Sequence, residues 1–177
     1  MKVALALLLD LFIGDPRYPF HPIRIMGKLA RKIESRFNTT GKQKLKGFFC
    51  AIFLYGITGT VCFALVSQLE KLSFGLIVEV ILIYTTIALH DLLKHGYRVY
   101  RLLKKGQLEE ARVELSYMVG RKTDDLDEKE MMRALIESLS ENLVDGVTAP
   151  LFYAVLFGLP GAFVYKMINT LDSLWGH

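Results

Sequence analysis

Residues 137–146, Glu-Ser-Leu-Ser-Glu-Asn-Leu-Val-Asp-Gly, hold the densest set of groups able to do chemistry in this chain. At helical spacing Ser138, Glu141, Asn142 and Asp145 stand at i, i+3, i+4 and i+7, so one stripe carries a hydroxyl, two carboxylates and an amide. Leu139 and Leu143, one position further round, can pack while the polar stripe faces a cavity, and Gly146 reads as the helix stop. Glu137 and Glu141 are like-charged i,i+4 neighbours, a repulsion of about 0.2–0.5 kcal/mol that a cation relieves. A metal-bound phosphate or a basic substrate would supply that cation; the alternative is a solvated amphipathic helix capped at Gly146.

Two other polar groups could serve the same site. Residues 14–24, Gly-Asp-Pro-Arg-Tyr-Pro-Phe-His-Pro-Ile-Arg, hold three prolines within seven residues, which predicts an ordered loop. In it Asp15, Arg17, His21 and Arg24 could bind an anionic group or a metal-phosphate, or simply face water in a connector. Lys166, Asn169, Thr170 and Asp172 follow an apolar segment directly, so they sit at a membrane edge where they could meet the first stripe.

The elements that must position these groups are apolar. Of 177 residues 52% are hydrophobic, and the 22 Lys+Arg and 18 Asp+Glu, net charge +4, are almost absent from 48–69 and 72–89. Residues 48–67 run without a charge and predict a transmembrane helix, with Gly56, Gly59 and Thr60 giving a small side for helix packing. Residues 72–89 predict a second, carrying Glu79. An acid there costs about 2.5–3.5 kcal/mol, which the surrounding Leu, Ile, Val and Phe outweigh at roughly 0.3–0.6 kcal/mol each. Glu79 is a functional candidate or a residue bonded to a neighbouring helix. Thr148 to Tyr165 is apolar but contains Pro150, Gly158, Pro160 and Gly161, predicting a kinked span or a re-entrant pair of short helices.

Residues 2–13 form an apolar helix interrupted by Asp10, too short to span and without a cleavage signal, and so retained against its neighbours or in the interface. Ile25 to Phe37 predicts a basic amphipathic helix. Residues 90–120 predict helices broken at Gly106, with Leu108, Ala111, Leu115 and Met118 as a core stripe, and Thr123 or Asp124 capping a helix from Glu128 to Asp145. The expected fold is all-α: a polytopic helical membrane protein with amphipathic cytoplasmic helices, in one membrane-embedded domain over 1–177.

Charge sets the expected orientation. Residues 14–46 hold nine Lys/Arg against two acids and 90–147 hold ten against twelve, whereas the link 68–71 holds only Glu70 and Lys71. The long segments are therefore expected in the cytoplasm and the link outside, in a multi-pass protein of the cell membrane. Nucleic acid is not an expected partner, since the basic stretch lacks interleaved aromatics and a recognisable module. Cys50 and Cys62 read as apolar packing residues, and His21, His90, His95 and His177 are too scattered for a zinc site. No phosphate-binding Gly-x-x-x-x-Gly-Lys-Ser/Thr loop occurs.

A series of motifs runs the length of the chain: Leu9-Asp10, Gly14-Asp15-Pro16 and His21-Pro22; Ala111-Arg112, then Val119-Gly120-Arg121 with Thr123; Glu137-Ser138, Glu141-Asn142 and Val144-Asp145-Gly146; Ala149-Pro150-Leu151-Phe152-Tyr153; and Tyr165-Lys166 with Asn169-Thr170-Leu171-Asp172-Ser173. In this order they resemble the N-terminal portion of the adenosylcobinamide-phosphate synthase family of cobalamin biosynthesis. Lys122 departs from it, standing where the family has an acid.

The resemblance implies a ligase that joins adenosylcobyric acid, through its propionate, to aminopropanol or aminopropanol phosphate, with ATP and Mg2+. It implies that Glu141, Asn142 and Asp145 supply metal-phosphate ligands or the base, Glu141 and Asp145 being the metal candidates. Glu137 and Ser138 would support them, and Asn169 and Asp172 would close the other side. Arg17, Arg24, Arg121 and Lys166, with Asp15, His21 and Thr123, are the implied substrate and phosphate contacts. The expected partners are the corrinoid, the amine, the lipid bilayer, and a separate C-terminal half or other corrinoid-pathway enzymes. An inactive or scaffold fragment, or a small transporter subunit using Glu79, are the competing expectations.

Overall fold

The computed structural model describes residues 1–15, 20–37 and 43–175. Every regular element among them is helical: α1 (Lys2–Ile13), α2 (Pro22–Phe37), α3 (Gln43–Leu69), α4 (Gly75–Tyr84), α5 (Leu89–Lys104), α6 (Leu108–Ser116), α7 (Glu128–Leu143), a π-helical turn (Val144–Thr148) and α8 (Ala149–Trp175). Three stretches are long and apolar enough to cross a membrane: Gly47–Leu69, Gly75–Lys104 and Glu128–Trp175. On α3 only a narrow face, with Leu54, Thr58 and Cys62, is buried, while Phe48, Phe53, Val61 and Phe63 are 59–69% exposed. An apolar girdle of this extent belongs against acyl chains, and the chain is an all-helical membrane protein. Gly59 lies on Val164 of α8, whereas Gly56 faces open space and Thr60 turns its hydroxyl back to the Gly56 carbonyl, so close packing uses the Gly59 side alone.

The stretch 72–89 is not one helix. Thr85 and Thr86 donate their hydroxyls to the Leu82 and Ile83 carbonyls at 2.7 Å each, which competes with the helical ladder and ends α4 at Tyr84. The new helix α5 begins behind Ala88, which has no side-chain cap to offer. Asp10 of α1 supplies one: its buried Oδ2 accepts from the backbone N–H groups of Leu89 at 2.8 Å and His90 at 3.0 Å. Lys2 at the other end of α1 reaches Glu79 at 2.6 Å, so α1 and α4 run in parallel. The Tyr84 hydroxyl donates to the Gly14 carbonyl and fixes the turn that leaves α1. Glu79, the acid within an apolar segment, is thus matched by an ammonium.

The chain after α7 corrects the expectation of a stop at Gly146. The helix continues through the π-helical turn into α8, and the Gly146 carbonyl accepts from the Ala88 N–H at 3.0 Å. The reversal comes later, at Gly158, whose backbone (φ 65, ψ −153) is non-helical and lies in the left-handed region that suits glycine. In a straight helix Tyr153 and Tyr165 would stand about 18 Å apart along the axis. Here their rings stack with centroids 5.2 Å apart, and a Cβ on Gly161 would lie 2.5 Å from the Tyr153 carbonyl oxygen. Residues 144–157 and 159–175 are therefore the two arms of a helical hairpin, the re-entrant alternative of the sequence reading, and the returning arm packs on α3 and α2.

A separate core joins α5, α6 and α7 through Val99, Leu103, Ala111, Leu115, Met131, Ala134 and Leu135. Gly106 (φ 70) breaks the helix as expected. The cap of α7 is Asp127, in a reciprocal box with Glu130, and not Thr123 or Asp124. Leu139 packs on this core, but Leu143 is exposed.

Replacing Asp10 by Ala should strand two N–H groups at the start of α5 and lower stability by about 1–3 kcal/mol. Asp10→Asn keeps an acceptor and should lose less. Thermal melts of the purified protein in detergent compare the two; equal melting of Asp10→Ala and the parent would refute the cap.

Candidate functional site

The hairpin folds the π-helical turn back onto the returning arm. Tyr165 donates its hydroxyl to Asp145 Oδ1 at 3.2 Å, although a straight helix would separate these residues by about 30 Å. Beside Tyr165, the ammonium of Lys166 interacts electrostatically with both Asp145 and Asp15. Asp15 in turn meets His21 Nε2 at 3.0 Å and Arg24 Nη2 at 3.7 Å. Helix α2 is held here because Gly27 lies against Thr170 of the same arm. Asp15, His21, Arg24, Asp145, Tyr165 and Lys166 thus converge from the turn after α1, the start of α2, the π-helical turn and α8.

His21 is buried, and burial pushes its pKa below the ordinary imidazole value; Asp15 opposes that, while the Arg24 and Lys166 charges reinforce it. The neutral imidazole is the resting form at pH 7. Two cations, two carboxylates and a neutral imidazole can orient an anionic group and take up a proton. No set of three His, Cys, Asp or Glu among the described residues could by itself cage a metal ion. Asp15 and Asp145 suit Mg2+ of the kind held by one or two carboxylates and completed by substrate phosphates.

A second feature lies in the α5–α7 unit. A cavity of about 180 Å3 is lined by Met118, Val119, Gly120, Arg121, Ala134, Glu137, Ser138 and Glu141. Arg121 meets Glu137 at 3.2 Å on its rim, and buried Ser138 donates to the Met118 carbonyl at 2.7 Å, fixing the turn over α7.

The expected stripe is therefore divided. Ser138 and Glu141 face this cavity, Asn142 donates back to the Ser138 carbonyl at 2.8 Å, and the half-buried Asp145 belongs to the cluster around His21. Thr123 is buried and donates to the Arg112 carbonyl at 3.0 Å, a structural bond. Asn169 and Asp172 lie further along the returning arm, where Asp172 acts on Tyr55; among the described residues neither side chain bonds to the Asp145 cluster. Arg17 lies outside the described residues. Tyr165 had no assigned role in the sequence reading, because a bond spanning twenty residues within one helical stretch has no local signal. The Lys2–Glu79 pair accounts for the acid that had suggested transport.

The sequence model of the CobD/CbiB protein family matches residues 3–177. Cobalamin biosynthesis protein CobD of Clostridium perfringens is 43% identical over 181 residues, covering 100% of this chain and 58% of the relative. The CobD protein of Leptospira interrogans is 42% identical over 178 residues, covering 99% and 56%. Cobalamin biosynthesis protein CbiB of Salmonella typhimurium is 37% identical over 179 residues, covering 98% and 56%. The chain spans little more than half the length of these curated relatives. No solved structure gives a significant match.

With its folded pKa below the unfolded value, His21 makes stability fall as pH drops below about 6.5, because the unfolded chain binds the proton more readily. Unfolding midpoints between pH 7.5 and 5 should therefore decline less in His21→Gln than in the parent; parallel profiles would show that His21 is not the group responsible. Tyr165→Phe removes the bond to Asp145 but keeps the ring stack, and should lower stability by about 0.5–1.5 kcal/mol in the same melts.

Proposed function

The chain belongs to the CobD/CbiB protein family, and from that premise we propose that it acts in cobalamin biosynthesis as a ligase-type enzyme, linking the propionate of adenosylcobyric acid to aminopropanol or its phosphate. The observation that supports this reading is the convergence of Asp15, His21, Arg24, Asp145 and Lys166 at the hairpin. Amide formation requires that a carboxylate oxygen be made a leaving group and that the amine lose a proton. ATP with Mg2+ would supply the activation. Lys166 and Arg24 would hold the anionic oxygens, and Asp15 and Asp145 would take the metal's protein-facing positions. Neutral His21 would accept the amine proton.

In the proposed orientation the basic helix α2 and the α5–α7 unit lie on the cytoplasmic side of the cell membrane, in a multi-pass topology with residues 70–74 outside. The hairpin then enters from the cytoplasmic side and returns to it, keeping the cluster where soluble substrates arrive. The corrinoid and the amine are the proposed substrates. Further family sequence, or another corrinoid-pathway enzyme, is the proposed partner.

The test is complementation of cells unable to convert cobyric acid to cobinamide, with the chain alone and together with the rest of the C. perfringens relative. Product should form in one of these arms and fall about 100-fold in Lys166→Met and in Asp145→Asn at equal expression. Undiminished product in both variants would remove the cluster from the reaction, and stable protein with no product in either arm would favour a scaffold.

A further inference from the structure

Helix α2 keeps one charged face exposed. Its inner side, with Met26, Gly27 and Ala30 buried, packs on the returning arm of α8 and on α3. At 3.6 residues per turn the remaining side chains follow in order round the helix: half-buried Ile33, exposed Leu29 and Ile25, then an arc of about 100° holding Lys32, Lys28, Arg24 and Arg31, all exposed. Glu34, the only acid in α2, lies half-buried on the bundle side. An apolar strip therefore separates the bundle from a basic one, and Phe20, in the turn ahead of the helix, adds a ring that is 79% exposed.

The contact that seats α2 also sets its depth. Gly27 lies against Thr170, and Thr170 belongs to the polar residues 166–173 that follow the apolar part of the returning arm. Helix α2 thus runs where the chain leaves the hydrocarbon. There Phe20, Ile25 and Leu29 reach the acyl boundary, while the long stems of Lys28 and Arg31 carry their charges to the level of the lipid phosphates. The protein does not neutralise these two charges itself. Arg24 turns to Asp15 at 3.7 Å, whereas Lys28 and Arg31 make no ion pair among the described residues.

We infer that the outer face of α2 is a docking surface for anionic phospholipid, with phosphate and headgroup on Lys28 and Arg31 and the acyl chain along Ile25 and Leu29. Charge complementarity selects the occupant: each basic residue at an anionic membrane surface is worth about fivefold in partition, and an apolar strip beside the charges suits a ligand that has an acyl chain as well as a phosphate. The lipid is bound on the same helix whose first turn supplies Arg24 to the Asp15 cluster, yet on side chains that the cluster does not use. The inference goes beyond the proposed reaction and needs no turnover.

The experiment is native mass spectrometry of the purified full chain in detergent, titrated with phosphatidylglycerol and with phosphatidylcholine of the same acyl chains. The first phosphatidylglycerol should bind at least about tenfold more tightly than the first phosphatidylcholine. The double variant Lys28→Gln/Arg31→Gln should bring the two within about threefold, and both positions are exposed, so the fold is retained. A charge-matched double variant on α7, Lys129→Gln/Arg133→Gln, should keep the parent's preference. In the parent, raising the salt from 0.1 to 1 M shortens the screening length from about 10 to about 3 Å and should bring the preference near parity, a readout that needs no variant. Equal binding of the two lipids by the parent would overturn the inference and leave the basic face to an acidic protein. A preference that survives in Lys28→Gln/Arg31→Gln would overturn it as well, and so would full displacement of the lipid by an equal concentration of glycerol phosphate, which carries the anion without the acyl chain.

Discussion

The reversal at Gly158 is the constraint on which the candidate site depends. Irregular backbone at membrane depth is tolerated only where protein or a cavity covers it. Here the returning arm packs on α3, with Gly59 against Val164, and the arms are drawn together where Gly161 has no side chain to hold them apart. At the open end the Tyr165–Asp145 bond and the Tyr153–Tyr165 stack tie the arms again. Without the reversal, Lys166 would stand about 30 Å from Asp145 along the helix axis.

The rest of the membrane part is held by polar pairs between helices, each ending on a group that would otherwise be stranded. Lys2 meets Glu79, Asp10 meets the open end of α5, and Tyr84 meets the Gly14 carbonyl. Removing one partner leaves the other unsatisfied at about 1–3 kcal/mol, more than a hydrogen bond contributes net when both partners are present. All three attach α1 to the α4–α5 stretch, and the chain leaving α1 carries Asp15. The position of Asp15 beside His21 and Arg24 is therefore fixed by contacts that contain no substrate-binding residue.

Local patterns made much of this legible. The uncharged run at 48–67, the core stripe Leu108, Ala111 and Leu115, and the break at Gly106 follow from composition and spacing, and the structure has α3, a buried stripe and a positive φ at those places. The re-entrant alternative for 148–165 came from Gly158, Pro160 and Gly161, which a straight span does not need. What could not be read is where distant helices touch. Nothing near Asp10 shows that it caps a helix seventy-nine residues away, and nothing near Thr123 shows that Arg112 will take its hydroxyl. The stripe Ser138, Glu141, Asn142 and Asp145 was visible as a stripe, but not its division between two surroundings, because that division is made by a hairpin lying beyond it.

The division places two polar surroundings one helical turn apart. Glu141 and Asp145 stand one turn apart on one unbroken helical stretch, the first on a water-facing cavity and the second, half-buried, in the cluster around His21. Neighbours at this spacing have Cβ atoms about 5–6 Å apart. The π-helical turn lies at that junction, where an extra residue per turn widens the helix and frees its backbone from strict α spacing. The Gly146 carbonyl within it accepts from Ala88, the residue that opens α5 under the Asp10 cap. The same short stretch thus joins the α5–α7 unit, the membrane helices and both polar groups, and so sets the distance between them.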